Sequence, residues 1–305
     1  MRLVLLAVLV AGVAVASGAA LVQRGDGEPE PWRLGKAMSQ RRSYIAAAEV
    51  GGSIYAAGGM VGETGRPLAT LQRYDPSEDA WTTLAPLPRP VRAAAAAAIG
   101  HTIFVVGGSG SDDGRRLVAY DIDAGTWSER APLPERRQNH AAVAFDGRLY
   151  VLGGFDGGRV LRSVEVYDPV HDRWNQGPPL PEPLHAFGAL LFRGELWVIG
   201  GRRDETIVRS VWILDPRSER WRRGPAMPRP MELLGVAVAG DEIHAVWEST
   251  YQIYDGRTDG WRDGPRPLVT RHALEAFAVD GTLYTVGGCT TQLRDSPIVE
   301  RRKLR

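Results

Sequence analysis

A pair of glycines that returns at a nearly constant interval limits what this chain can fold into more than any other feature of its sequence. Successive pairs are 49, 46, 47 and 87 residues apart, and the last gap has room for one further copy. At that point, Val246-Trp247, the alternation of a strand is kept but the glycines are lost. A fixed period of this length indicates stacked copies of one supersecondary unit. The pairs are Gly58-Gly59, Gly107-Gly108, Gly153-Gly154, Gly200-Gly201 and Gly287-Gly288.

A second landmark follows the glycines around the chain. Five times an aspartate precedes a tryptophan by six residues, and an aromatic residue stands before four of these aspartates. Five copies of one spacing are too many for chance, so each period is one copy of the same unit. The pairs are Asp75 and Trp81, Asp121 and Trp127, Asp168 and Trp174, Asp215 and Trp221, and Asp255 and Trp261.

Each period reads as four short strands. In the third period, alternating apolar residues predict strand a at 140–145, strand b at 148–152 and strand c at 163–167, and strand d begins at Trp174. Asp146-Gly147 and Asp168-Pro169 are turn sequences between these strands. Outside the N-terminus no convincing helical period is present, and the sequence therefore predicts an all-β fold.

The double glycine after strand b, the Tyr-Asp pair and the tryptophan six residues later resemble the kelch repeat, over residues 32–305. Copies of that repeat form the blades of a β-propeller. In such a fold, glycine lets backbones approach closely, tryptophan packs between sheets and aspartate bonds the amides of a turn. We therefore interpret the recurring residues as scaffold.

The two ends of the chain determine the number of blades. The last repeat, from Arg271, has strands a, b and c but no tryptophan and no strand d. The segment Trp32–Met38 matches the strand-d segment Trp221–Met227. Pairing this N-terminal strand with the C-terminal repeat would satisfy both open edges. The sequence thus predicts a six-bladed propeller whose ring is closed by the N-terminal strand.

The N-terminus predicts export. An apolar run spans Leu3–Val22 after Arg2, and it fits a cleaved signal peptide and an uncleaved membrane anchor equally. Residues 1–22 are thus a signal or anchor, 23–31 a linker and 32–305 the propeller. We expect an extracytoplasmic protein, either periplasmic or secreted, or tethered to the membrane by residues 3–22.

Composition narrows the partners. The formal net charge of +1 gives no reason to expect nucleic acid or an anionic membrane surface, so contact with a membrane is expected only through the N-terminal segment. Cys289 is the only cysteine, which excludes an intramolecular disulfide and a cysteine-rich metal site. We expect no metal, no cofactor and a monomer.

Candidate ligand-binding residues lie just before strand a. In propellers that this chain resembles, ligands bind the face with the d-to-a and b-to-c loops, near the axis. Arginines there would receive carboxylates or phosphates as bidentate partners, although the same arginines could instead bond loop carbonyls of the next blade. The candidates are Arg42, Tyr44, Arg92, Arg137, Asn139, His185, Glu232, Arg271 and His272.

Two functions remain open for this face. The resemblance favours a binding module, without enzymatic activity, that recognises a protein, a peptide or another anionic ligand such as an acidic segment. The alternative is a sugar-acid isomerase resembling sialic-acid epimerases (mutarotases), with Glu232 or His185 as acid/base and Arg92, Arg137 or Arg271 holding the substrate carboxylate. A deep pocket would favour the isomerase, whereas an open, shallow face would favour binding. A copper oxidase of the galactose oxidase type is disfavoured because Cys289 stands alone and no paired histidine motif is present.

Overall fold

The computed structural model describes residues 30–62, 65–110, 113–290 and 294–304. The predicted membrane segment 1–22 and the linker up to residue 29 lie outside the described residues. Within the described ranges, the chain forms six four-stranded antiparallel sheets, each in the order a-b-c-d. No helix in this described part has the length and apolar character needed to cross a bilayer. The predicted all-β, six-bladed propeller is confirmed.

The strands of the six blades share their lengths and positions. Strand a spans Ala46–Val50, Ala95–Ile99, Ala141–Phe145, Gly188–Phe192, Gly235–Ala239 and His272–Val279. Strand b spans Ser53–Ala57, Thr102–Val106, Arg148–Leu152, Glu195–Ile199, Glu242–Trp247 and Thr282–Cys289. Strand c spans Leu71–Asp75, Leu117–Asp121, Val164–Asp168, Val211–Asp215, Thr250–Asp255 and Val299–Lys303. Strand d spans Ala80–Leu84, Thr126–Arg130, Arg173–Gln176, Arg220–Arg223, Gly260–Asp263 and, for blade six, Arg33–Leu34.

Short strand pairs extend some of the loops on one face. They join Met60–Val61 to Arg66–Pro67, Val91–Arg92 to Ser109–Gly110, and Arg202–Arg203 to Thr206–Ile207. All three pairs involve a b-to-c loop, which places extra backbone on the face where the sequence analysis expected a ligand.

The N-terminal strand closes the ring as predicted. Arg33 lies opposite Arg301 and Leu34 lies opposite Glu300, in antiparallel register with the last strand c. The Trp32 indole N–H donates a hydrogen bond of 2.8 Å to the carbonyl of Pro265 in blade five. The first and last segments of the propeller are therefore held together by backbone and side-chain bonds.

The tryptophans join neighbouring blades by one repeated hydrogen bond. In each blade the indole N–H donates to the carbonyl of the residue four positions after the preceding blade's tryptophan, at 2.8–3.0 Å. The indole also packs between sheets, so each tryptophan contributes both buried apolar area and a directional hydrogen bond. The donors and acceptors are Trp81 and Lys36, Trp127 and Ala85, Trp174 and Ala131, Trp221 and Pro178, Trp261 and Pro225, and Trp32 and Pro265.

The core is divided among the interfaces between blades. Each interface holds one cluster of buried side chains from the facing sheets; between blades five and six it includes Trp32, Val246, Tyr251 and Leu283. The recurring aspartates lie outside these clusters and bond the amides of the c-to-d turn, as Asp75 does with Ser77. This repeated packing holds the loops of one face in a fixed ring.

Candidate functional site

In each blade, the three residues at the entry to strand a determine which chemical groups surround the axis. The first is called here the buried position, the second the mouth position and the third the ring position. The buried positions are Arg42, Val91, Arg137, Leu184, Met231 and Arg271, all with less than a tenth of their surface exposed. The mouth positions are Ser43, Arg92, Gln138, His185, Glu232 and His272. The ring positions are Tyr44, Ala93, Asn139, Ala186, Leu233 and Ala273.

The ring positions form a closed circle of backbone hydrogen bonds. Each amide donates to the carbonyl of the ring residue in the preceding blade, from Ala93 to Tyr44 at 3.0 Å through to Tyr44 and Ala273 at 3.3 Å. All six residues adopt positive φ, between 47° and 56°. A left-handed conformation is costly for residues other than glycine, and here the closed circle holds six of them. This circle, called here the axial ring, narrows the entrance to the channel.

Three of the predicted ligand arginines are not at the mouth. Arg42, Arg137 and Arg271 are no more than 1% exposed, and each guanidinium bonds the carbonyl of the glycine 16 residues later. Two of those glycines follow strand b directly and Gly287 lies near its end, all in the arginine's own blade, so the expected contact with a carbonyl of the next blade is corrected as well. Burial lowers the pKa of Arg42 to about 10. The side chains tie strand a to the b-to-c connection and are not available to a ligand.

Five of the six mouth positions, in contrast, carry half-buried polar side chains around the axis; the sixth, Ser43, is buried and its hydroxyl lies 2.6 Å from Asp295 Oδ1. Arg92 is half-buried; its Nε donates to Ser109 Oγ at 3.2 Å and its Nη1 to the Gly65 carbonyl at 2.9 Å. Among the described residues, its Nη2 has no hydrogen-bond partner and the guanidinium has no carboxylate within ion-pair distance. Arg92 is therefore the mouth cation whose charge is still open to an anion. Ser43 and Gln138 occupy the same position of the repeat; alignment on the glycine pairs places both in the segments before strand a, but they were not among the predicted ligand-binding residues.

Glu232, on the blade opposite Arg92, is already paired. Arg202 Nε and Nη2 donate to its two carboxylate oxygens at 2.6 and 2.7 Å. Burial lowers the pKa of the neighbouring His185, although the Glu232 carboxylate opposes this shift. His185 is therefore neutral at pH 7. Arg202 comes from a b-to-c loop and was not among the predicted site residues.

Tyr44 and Asn139 project from the axial ring between these groups. Burial raises the pKa of Tyr44 to about 12; the Cys289 thiol and Glu232 act in the same direction and Arg92 opposes them. These effects place the phenol within electrostatic range of blades two, five and six. His272 lies beside it, with Nε2 3.0 Å from the Cys289 sulfur. Burial, the largest cause, raises the pKa of that thiol to about 11, so it stays protonated at neutral pH.

The cavities near the axis on this face are small, whereas an open one of about 450 Å³ lies farther out, between the b-to-c and d-to-a connections that flank blade four. One of about 70 Å³ lies at the axial ring, and one of about 120 Å³ lies between Arg136, Gln138 and Phe155. Ligand pockets for small molecules usually span about 300–1,000 Å³. A larger cavity of about 460 Å³ follows the axis beneath the ring, lined mainly by alanines of strand a and by Glu275. Burial raises the pKa of Glu275 to about 8.

The isomerase alternative finds little support in this arrangement. Of its three candidate clamps, Arg137 and Arg271 are buried in the sheet and cannot hold a substrate carboxylate, which leaves only Arg92, and both oxygens of Glu232 are engaged by Arg202. Within the described ranges, no group of three or more His, Cys, Asp or Glu side chains is placed to hold a metal ion.

Comparison with known proteins gives the same architecture. A family profile described as the KLHDC2/KLHL20/DRC7 Kelch-repeats domain matches residues 44–246, which is more than half of the chain. The solved structure of YjhT superposes with a TM-score of 0.73 and 15% identity, over 86% of this chain and 94% of that one. At this identity the likeness establishes the fold alone.

Two plant proteins share shorter stretches of sequence. The F-box protein AFR of Arabidopsis thaliana is 37% identical over 57 residues, which are 19% of this chain and 15% of the plant protein. The F-box/kelch-repeat protein At1g16250 of the same plant is 33% identical over 69 residues, which are 23% of this chain and 18% of the plant protein. The chain thus matches less than a fifth of either relative's length.

Proposed function

The chain belongs to the kelch-repeat family, and on that premise we propose that it is an extracytoplasmic binding module whose mouth receives an acidic segment of a protein partner. Kelch propellers generally bind proteins, and the d-to-a and b-to-c loops of this one offer an open polar surface. The apolar run Leu3–Val22 supports a location across the membrane. Protease treatment of cells whose outer layer is permeabilised and whose cytoplasmic membrane is intact would test that location, since only a cytoplasmic propeller would be protected.

The observation that carries the proposal is the unsatisfied guanidinium of Arg92. Its Nε and Nη1 are held by Ser109 and Gly65, so the side chain is oriented before any ligand arrives. Its Nη2 remains free among the described groups. A preorganised fork with a free donor is suited to the carboxylate of Asp or Glu. The opposite side of the mouth carries the paired Arg202 and Glu232 and contributes little net charge.

The shape of the mouth supports a peptide over a small enclosed molecule. Cavities of about 70 and 120 Å³ can take single side chains but not a sugar-sized ligand. Tyr44, Asn139, Gln138 and Phe155 surround these cavities and can bond or pack against a backbone. An extended acidic segment would therefore lie across several blades and place one carboxylate on Arg92.

A pair of matched peptides tests the proposal. We expect a tetra-aspartate peptide to bind the purified full chain in calorimetry, and its tetra-asparagine counterpart to bind at least tenfold more weakly. Arg92→Gln should weaken the aspartate peptide about tenfold, because a charge-assisted bond contributes about 1.5–3 kcal/mol. Arg148→Gln is the control, since Arg148 is exposed on an a-to-b turn at the far face. Equal binding of the two peptides, or equal losses in the two variants, would contradict the proposal.

A further inference from the structure

Three departures from the repeat converge between blades five and six, on the face opposite the mouth. His244 stands in strand b where the other blades carry Tyr55, Phe104, Tyr150, Trp197 and Tyr284. Tyr251 stands in strand c where the others carry Leu71, Leu117, Val164, Val211 and Val299. Arg302 stands where the others carry Tyr74, Tyr120, Tyr167, Leu214 and Tyr254. Apolar or aromatic core positions have thus become a polar group of three.

The three side chains are joined through the Tyr251 hydroxyl. Arg302 Nη1 donates to that oxygen at 3.4 Å, and His244 Nδ1 lies 2.7 Å from it. The Arg302 guanidinium also lies over the Tyr251 ring, with 5.6 Å between its carbon and the ring centroid. Arg302 Nε donates to the Glu30 carbonyl at 2.8 Å, so the guanidinium is fixed at two points.

This chain of bonds indicates which ring nitrogen of His244 carries the hydrogen. Arginine can only donate, so the phenol oxygen accepts from Arg302, and we assign the phenol's own hydrogen to the bond with His244 Nδ1. Burial lowers the pKa of His244 to about 4, and Arg262 and Arg302 act in the same direction, so the imidazole is neutral at pH 7. Its single hydrogen is therefore on Nε2. That nitrogen is fully buried and has no hydrogen-bond partner among the described residues.

Both donors line one cleft of about 690 Å³, a volume typical of ligand sites. Its other charged groups are already paired: Arg262 with Glu242 at 2.5 Å, and Arg257 with Asp241 at 3.6 Å. The Glu242 carboxylate is 3.8 Å from His244 Nε2, too far for a hydrogen bond. Arg302 is only 7% exposed and has no carboxylate partner within the described part of the chain.

A buried cation without an anion, next to a buried donor without an acceptor, is costly in a folded protein. We propose that this cleft binds a small oxyanion, a carboxylate or a phosphate, whose oxygens accept hydrogen bonds from Arg302 Nη2 and His244 Nε2. The cleft is separate from the mouth and does not depend on the function proposed there. The remaining volume beside Ala239, Gly240 and Gly281 accommodates the body of the ligand.

Calorimetry on the full chain with acetate, inorganic phosphate and chloride tests this site. We expect acetate, phosphate or both to bind at a site that is lost in Arg302→Tyr, and chloride to bind there at least tenfold more weakly. Preference for acetate identifies a carboxylate ligand, and preference for phosphate identifies a phosphorylated one. Arg302→Tyr restores the residue found in four other blades and should weaken anion binding at least tenfold. Arg148→Gln, an exposed position in blade three that belongs to neither site, should leave it unchanged.

A spectroscopic measurement on the wild-type chain covers the case in which Arg302→Tyr does not fold. The sequence has six histidines, and in spectra of ¹⁵N-labelled histidine one imidazole pair should shift as the anion saturates. That pair should be missing in His244→Tyr. Equal binding of chloride and acetate, unchanged affinity in a folded Arg302→Tyr protein, or the absence of any imidazole shift would overturn the proposal.

Discussion

Arg137 illustrates how the structure changes the meaning of a predicted site residue. Its Nη1 donates to the carbonyls of Gly153 and Ser163 at 2.9 and 3.2 Å, and its Nη2 donates to Ser163 Oγ at 3.0 Å. Glu165, 4% exposed, lies 3.8 Å away. Arg137→Ala would remove these three hydrogen bonds and leave the buried Glu165 carboxylate without its cation. Removing one member of a buried ion pair costs about 3–5 kcal/mol.

The loss of stability in Arg137→Ala should increase with rising pH. Burial raises the pKa of Glu165 in the folded protein, and Arg137 opposes that shift. Without the arginine the folded pKa rises further, so the folded state holds a proton that the unfolded state releases. Stability then falls more steeply with rising pH in the variant. The defect should be larger at pH 8 than at pH 5, where protonation of Glu165 relieves it.

Urea unfolding followed by circular dichroism at both pH values measures this prediction. Arg92→Ala is the matched control, because Arg92 is only half-buried and its loss should cost about 1 kcal/mol. Peptide affinity should show the reverse pattern, falling for Arg92→Ala and not for folded Arg137→Ala. A cost below 1 kcal/mol for Arg137→Ala, or a defect that does not change with pH, would refute the structural role assigned to Arg137.

Two further substitutions test the axis and the closure of the ring. Glu275→Gln should stabilise the protein by about 2 kcal/mol at pH 8 and leave its stability at pH 4 unchanged. The reason is that a pKa near 8 in the folded state makes the stability of the wild type fall as the pH rises above about 4.5. Water in the axial cavity makes this effect smaller than it would be at a dry site. An equal gain at both pH values in urea unfolding would exclude titration as the cause. Trp32→Ala should cost about 3–5 kcal/mol in the same assay, because this side chain is 4% exposed and closes the ring. Trp127→Ala, at a partly exposed indole, should cost less, and equal costs would contradict the closure argument.

The repeat allowed the fold to be predicted almost completely. The predicted strand at residues 148–152 matches Arg148–Leu152, and strand c begins one residue later than expected, at Val164. The pairing of the N-terminal strand followed from the missing strand d of the last repeat. These features were visible because each is repeated or is the complement of a repeat, and because period-2 alternation determines which side of a strand is buried.

The site was less predictable because residues that face the mouth and residues that are buried in the sheet are adjacent in the chain. Arg137 and Gln138 are neighbours, yet the first side chain is buried in the sheet and the second is half-buried at the mouth, since side chains alternate as the chain enters strand a. An alignment on the glycine pairs finds the segment but not the direction of each side chain. The axial ring had no signature either, because Ala93, Ala186 and Ala273 adopt positive φ without the glycine or asparagine that usually predicts it.

Repetition itself separates scaffold from function in this molecule. A residue that recurs in most blades meets the same neighbours each time, as the tryptophans do, so its chemistry serves the ring. The backbone follows the same path at the mouth position of each blade, while the side chain changes from blade to blade. A recognition surface requires this combination of a fixed backbone and varied side chains. The cleft beside Arg302 follows a different logic, because its polar side chains occupy positions that other blades use for their core. Such residues reduce stability where a tyrosine would add to it. Arg302→Tyr should therefore unfold at a higher temperature than the anion-free wild type, while losing the stabilisation that the anion provides.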